Sequence, residues 1–233
     1  MLTPRMARVT VAGPELKGFE LTEPAASVRL LIPTSGTTEL VIPEWTGNEF
    51  LLPNGDRPIL RTFTPRRVHS DRPALDVDIV LHTDGATSRW AGEAQPGDPA
   101  AVAGPGRGYR IDPGAPAFFL AGDETAIPAI GQLLEQIPAE IPIRAVIEIA
   151  HPEARLDLPE HPSAQVVWRE RGADESPGAA LVDAVRAADL GPGTKVWVAG
   201  EAGSLFHIRR NLMEERALPR ADVTVRGYWK HGR

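Results

Sequence analysis

Near residue 115 the chain changes rhythm, and that change limits the folds open to it. Before it, apolar residues come in short runs broken by Gly and Pro, at 8–12, 27–32, 38–42, 59–64, 75–81 and 98–103. Within the fifth run Leu75, Val77 and Ile79 alternate onto one face, the period of a half-buried strand. A single helix is expected from Thr87 to Ala94. Six short strands with turn punctuation predict a six-stranded antiparallel β barrel. The stretch 104–114 is rich in Gly and Pro and reads as a junction, placing one domain at 1–112 and a second at 113–233. Beyond it strands are predicted at 116–121, 141–149, 164–168, 194–199 and 222–227, with helices near 125–137, 178–188 and 202–217. Strands alternating with helices predict an α/β domain on a five-stranded parallel sheet. Ligands of such sheets sit at the carboxyl ends of the strands.

Composition removes several classes of function. The 233 residues contain no Cys, which rules out disulfides, cysteine-held iron–sulfur clusters and a cysteine nucleophile. A net charge of −6 opposes non-specific nucleic-acid binding, so an anionic ligand requires a local basic patch. No run is long and apolar enough for a membrane span, and the first eight residues lack the apolar core of a signal peptide, so a cytoplasmic protein is expected. The six His (69, 82, 151, 161, 207 and 231) form no i, i+4 pair on a predicted helix, and no resident metal site is expected. Neither a Gly-x-Ser-x-Gly elbow nor a Walker A run is present.

Four stretches carry chemistry. In Leu120-Ala-Gly-Asp-Glu-Thr-Ala-Ile-Pro-Ala-Ile130 a buried strand turns tightly into a helix whose apolar face is Ile127, Ile130, Leu134 and Ile137. With Thr125 as N-cap, Pro128 falls in the first turn, where its missing N–H is no loss. The turn is either an ordinary capped helix or a seat for a phosphate at a helix N-terminus. Trp197-Val-Ala-Gly-Glu201 is a second strand end of the same kind. Arg61-Thr-Phe-Thr-Pro-Arg-Arg67 puts a cation, an aromatic ring and hydroxyls close together. That combination suits a flavin, with Arg on the pyrophosphate and Phe on the ring system, and it also suits a solvated basic edge strand ended by Pro65. His82-Thr-Asp-Gly-Ala-Thr-Ser-Arg-Trp-Ala91 offers Thr87 and Ser88 at a helix start, as a second pyrophosphate seat or as plain caps over a buried Trp90. Finally, Arg226-Gly-Tyr-Trp-Lys-His-Gly-Arg233 joins two aromatics to basic residues, and reads as a cover for a flavin edge or as a frayed tail.

These stretches, in this order and spacing, resemble the siderophore-interacting protein family, flavin-dependent ferric-siderophore reductases of the ferredoxin–NADP reductase-like superfamily. The likeness runs from about Arg5 to Gly232 and is most specific at Ala121-Gly-Asp-Glu-Thr-Ala-Ile-Pro-Ala129. It implies a FAD-binding barrel followed by an NAD(P)H-binding domain. It further implies that Arg61, Phe63, Thr64, Arg66 and His82 line the flavin, with the Thr64 hydroxyl near its N5 edge as the catalytic group. Thr87 and Ser88 would hold the pyrophosphate, and Tyr228 and Trp229 would cover the ring. Asp123, Glu124, Thr125, Gly200 and Glu201 would border the nicotinamide nucleotide. Two departures stand out: Phe63 replaces a frequent Tyr, and the His-Gly and Gly-Pro elements of the second motif are reduced to His82-Thr83 and Gly85-Ala86. The expected chemistry is hydride transfer from NAD(P)H to FAD and single-electron reduction of a ferric siderophore, which then releases Fe(II). An anionic siderophore would meet a basic rim of Arg66, Arg67, Lys230 and Arg233. Arg169 and Arg171 are candidates for a 2′-phosphate. Two alternatives keep the fold: reduced ferredoxin as donor, and non-catalytic siderophore binding.

Overall fold

The computed structural model describes residues 1–34, 36–82 and 85–232. The chain forms two units, Met1–Gly108 and Tyr109–Arg233. In the first, β1 (Met6–Ala12), β2 (Val28–Ile32), a short hairpin of β3 (Glu44–Trp45) and β4 (Phe50–Leu51), β5 (Ile59–Phe63), β6 (Pro65–Val68) and β7 (Ala74–Val80) precede α1 (Ala86–Glu93) and β8 (Ala101–Ala103). Among the described residues they make two antiparallel three-stranded sheets, β1–β7–β6 and β5–β2–β8, with the hairpin apart. The unit is therefore barrel-like rather than the single closed six-stranded sheet expected. Pro65 explains part of the difference. Lacking a donor, it is tolerated as the first residue of a strand. There the chain leaves β2, the partner of β5, and joins β7 through β6 with a bulge between Pro65 and Arg67. The run 38–42, expected as a strand, has no regular structure. Val41 and Ile42 are 39% and 64% exposed, so no burial offsets the entropy of ordering them.

The inner faces of the two sheets bury Val28, Leu30, Ile32, Leu75, Val77 and Ile79, and Phe63 and Trp90 pack at their margin. The alternate residues of β7 carry charge. Asp78 takes Arg8 in a two-pronged ion pair at 2.7 and 2.8 Å, and Asp76 accepts the Thr10 hydroxyl at 2.7 Å and lies 3.0 Å from His69 Nε2. Burial pushes the Asp76 carboxyl upward, but Thr10, His69 and Arg8 together outweigh it and hold the group below the usual carboxylate range. A depressed carboxyl stabilises the fold above its unfolded-state value, near 4, and that contribution is lost as pH falls through the folded value. Thermal melts from about pH 6 down to about pH 3 are therefore expected to fall less steeply for Asp76→Asn than for the parent. Identical slopes would remove Asp76 as a source of acid lability.

The second unit holds β9 (Phe118–Gly122), α2 (Ile127–Gln136), β10 (Ile143–Ile149), β11 (Ala164–Glu170), α3 (Ala179–Ala187), β12 (Lys195–Glu201), α4 (Ala202–Arg210) and β13 (Val223–Trp229). All strand pairs are parallel, in the order β11–β10–β9–β12–β13, which is the five-stranded sheet expected from the alternating pattern. Strands buried on both faces read as apolar runs, and Phe118, Phe119, Leu120, Val196, Trp197 and Val198 are each no more than 2% exposed. One face packs Phe119, Val146, Val196 and Val198 against Leu181, Val185, Leu205 and Ile208 of α3 and α4. α4 ends at Arg210 and continues as one π-helical turn, Asn211–Glu215, shorter than the single helix expected to 217. No helix among the described residues is long and apolar enough to cross a membrane.

Candidate functional site

The first unit gathers its motif residues around the end of β5 and the start of α1. Arg61 is exposed and donates to the carbonyl of Leu60 at 3.0 Å, Phe63 is half-buried against the core, and Thr64 is buried. Arg66 is half-buried and Arg67 exposed, the latter in register with Asp76. α1 begins at Ala86 with Gly85 as N-cap, so Thr87 and Ser88 are not its caps but lie buried in its first turn. The Ser88 hydroxyl is turned back onto its own chain: it accepts from the His82 N–H at 2.6 Å and donates to the His82 carbonyl at 2.8 Å. That hydroxyl is committed to the turn, so Ser88 could serve a phosphate through its backbone N–H. The His82 ring closes over the same turn. A Cβ on Gly85 would come within 2.5 Å of it, so the ring could lie this close only over a residue without a side chain, or would have to turn away. Thr83 and Asp84 lie outside the described residues.

In the second unit the site is built at the carboxyl ends of β9, β10 and β12. Asp123, not Thr125, caps the turn after β9: its Oδ1 accepts the Thr125 N–H at 2.9 Å and the Thr125 hydroxyl at 2.5 Å. The turn opens as a 3₁₀ segment, Glu124–Ala126, and Pro128 then falls at the start of α2. Aspartate wins because its carboxylate reaches both donors at once, whereas a Thr125 cap would leave the carboxylate buried with fewer partners. Oδ2 accepts the Trp229 indole N–H at 2.7 Å, across 106 residues of chain. A bulge in the β12–β13 pairing sets Trp229 opposite Glu201. β12 separates β13 from β9, and the crossing point is Gly200, whose φ is +153°. Glu201 Oε2 caps α4 through the Ser204 N–H at 2.8 Å, and Oε1 accepts the His231 N–H at 3.2 Å. The aromatic end of the chain is thus fastened to two acids of the sheet. Lys230 is exposed beside it, and Arg233 lies outside the described residues.

Two further acids complete the edge. Glu124 is buried and accepts the Ala150 N–H at 2.6 Å, just past β10. Glu148, within β10, is 4% exposed and accepts the N–H groups of Gly178 and Leu181 at 2.7 and 3.3 Å, capping α3. Sequence reasoning missed Glu148, although one acid inside the apolar run Ala145–Ile149 was a visible exception. Burial pushes Asp123 and Glu148 above the usual carboxylate range, and in Glu148 the Asp123 charge adds to it. Glu201 moves the other way: burial raises it, but N–H groups of Gly203, Ser204 and His231 together outweigh burial and hold it low.

Comparison with known proteins agrees along the whole chain. The siderophore-interacting FAD-binding domain matches residues 1–109, and the siderophore-interacting protein domain matches 115–232. The chain belongs to the siderophore-interacting protein family. A siderophore utilization protein from T. fusca superposes with a TM-score of 0.87 at 35% identity, covering 100% of this chain and 89% of that one. Ferric vibriobactin reductase ViuB of Vibrio cholerae is 27% identical over 232 residues, 98% of this chain and 85% of its own length. A ferredoxin reductase in carbazole 1,9a-dioxygenase matches 98% of this chain and 65% of its own at a TM-score of 0.69 and 14% identity, a likeness of fold alone. As in its family, the first unit is a FAD-binding domain. Its residues fit that role: an exposed Arg61, a half-buried Phe63 and a close-packed turn with Gly85 as N-cap of α1.

Proposed function

We propose that this protein is a flavin-dependent ferric-siderophore reductase that takes hydride from a reduced nicotinamide nucleotide, NADH or NADPH, and releases Fe(II) from its carrier. The observation that carries the reading is the likeness over 98% of the chain to a protein named ferric vibriobactin reductase. Bound FAD would supply the conversion between a two-electron hydride donor and a one-electron ferric acceptor. The chain's own residues supply the rest. The Arg61 guanidinium would pair the cofactor's pyrophosphate, with the first-turn N–H groups of α1, Thr87 and Ser88 among them, as further donors. Phe63 would pack on the ring system, the buried Thr64 hydroxyl would orient its reactive edge, and His82 and Arg66 would flank it. Phe63 brings no hydroxyl, so ring contact and Thr64 carry the positioning. Asp123, Glu124, Thr125, Gly200 and Glu201 would border the donor, with Tyr228 and Trp229 as the aromatic cover. Arg66, Arg67 and Lys230, with Arg233, would draw an anionic ferric complex. No protein ligand to iron is required, because the metal arrives and leaves as substrate.

The test is direct. Purified protein is expected to be yellow, to bleach anaerobically with NADH or NADPH, and to form a coloured ferrous complex once a ferric siderophore and a ferrous trap are added. A preparation that neither holds nor takes up FAD would end the proposal, and one that bleaches without a ferrous product would confine it to flavin reduction.

A further inference from the structure

We infer that the four acids at the carboxyl edge of the second unit's sheet occupy the seats where a dinucleotide's diphosphate would bind, so that the donor is selected by its dihydronicotinamide half. This rests on the nicotinamide donor proposed above. In open α/β sheets the ligand edge lies where the strands end and helices begin, and the backbone N–H groups there attract anions. Here those N–H groups already have anions. Asp123 takes Thr125 after β9, Glu124 takes Ala150 after β10, Glu148 takes Gly178 and Leu181 at the start of α3, and Glu201 takes Ser204 at the start of α4. All four carboxylates are 7% exposed or less, so they are fixtures of the sheet rather than mobile surface groups.

An arriving diphosphate would meet like charge and occupied donors. Arg171 is a counter-charge on this edge, and its field already acts on Glu148. A dihydronicotinamide ring is neutral and suffers neither penalty. The aromatic Trp229, 36% exposed and held by Asp123, offers such a ring a flat partner. The transfer is balanced without the diphosphate: the donor loses one hydride and becomes the oxidised nicotinamide, and the two electrons and the hydrogen pass to FAD.

The probes are NADH and reduced nicotinamide riboside, which carries no phosphate, each rate divided by its own rate with free flavin in solution. A donor whose diphosphate makes even one charge-assisted hydrogen bond should gain about tenfold or more from it. With the flavin-loaded protein, the normalised kcat/KM values of the two donors are expected to differ by less than about tenfold, and a larger advantage for NADH overturns the inference. Glu148→Gln keeps one of the two oxygen acceptors that serve the start of α3 and removes one charge. It is expected to raise the NADH-to-riboside ratio by about threefold or more, a gain that general loosening would not produce. A ratio left unchanged by that variant removes Glu148 from the assignment. ADP titrated calorimetrically into the same flavin-loaded protein is expected to show no saturation up to about 1 mM, and saturation below that overturns the inference. If no nicotinamide donor bleaches the flavin, the donor reading falls by itself, and the ADP titration still judges the seats.

Discussion

Gly200→Ala is expected to destabilise the second unit by about 2–6 kcal/mol and to unfasten the aromatic end of the chain. Two costs combine. The φ of +153° lies where L-residues are strained, a cost of about 1–3 kcal/mol. The added Cβ would lie 2.6 Å from Asp123 Oδ2 and 2.9 Å from its Cγ, and overpacking of this kind costs about 1–3 kcal/mol. The obstructed oxygen is the one that accepts the Trp229 indole, so relief by turning the carboxylate breaks that bond and leaves a buried group short of a partner. Urea unfolding gives the stability, and the emission of Trp229, shifted toward that of exposed indole, gives the release. A double-mutant cycle with Asp123→Ala separates the causes. If the clash dominates, the double variant loses clearly less than the sum of the single losses. Strict additivity would leave backbone strain alone, and a loss below about 0.5 kcal/mol would show that the edge is more compliant than its geometry.

The same edge marks how far the sequence could be read. The parallel sheet was legible because strands buried on both faces announce themselves as apolar runs, as in Phe118–Gly122 and Lys195–Glu201. The first unit was harder. Period-two alternation reveals a strand and its faces but not its partners, so the division into two three-stranded sheets at Pro65 could not be seen, and 38–42 looked like a strand that in fact has nothing to bury against. Local caps were ambiguous for a different reason. Asp123, Thr125, Thr87 and Ser88 are all capable cap residues, and which of them acts depends on partners far along the chain or on a glycine such as Gly85. The role of Glu148 depends on Gly178 and Leu181, thirty and thirty-three residues away, and that of Asp123 on Trp229. The residue types were in the sequence; their opposition across strands was set by the order β11–β10–β9–β12–β13.

Trp197 lies in β12, next to the central strand of that order, and its truncation is the second large effect expected. It is fully buried, pairs in register with Leu120 of β9 and Thr224 of β13, and stands edge-on to Tyr228 at 6.4 Å between ring centroids. Val196 and Val198 face α3 and α4, so alternation turns Trp197 to the opposite face of the sheet. Trp197→Ala should cost about 3–5 kcal/mol, the range for emptying a large aromatic site in a core that cannot collapse. One feature opposes this. The Trp197 indole N–H is buried with no acceptor among the described residues, a penalty of about 1–3 kcal/mol carried by the parent. Trp197→Phe removes the orphan donor and most of the ring stays, so its loss should be far smaller, about 1 kcal/mol or less. Denaturant midpoints for the parent and both variants decide between the two terms. If Phe costs as much as Ala, the indole N–H is satisfied by ordered water and the site is wet; if Phe is near neutral, the position demands ring volume alone, and Tyr228 is left with an equivalent edge to pack on.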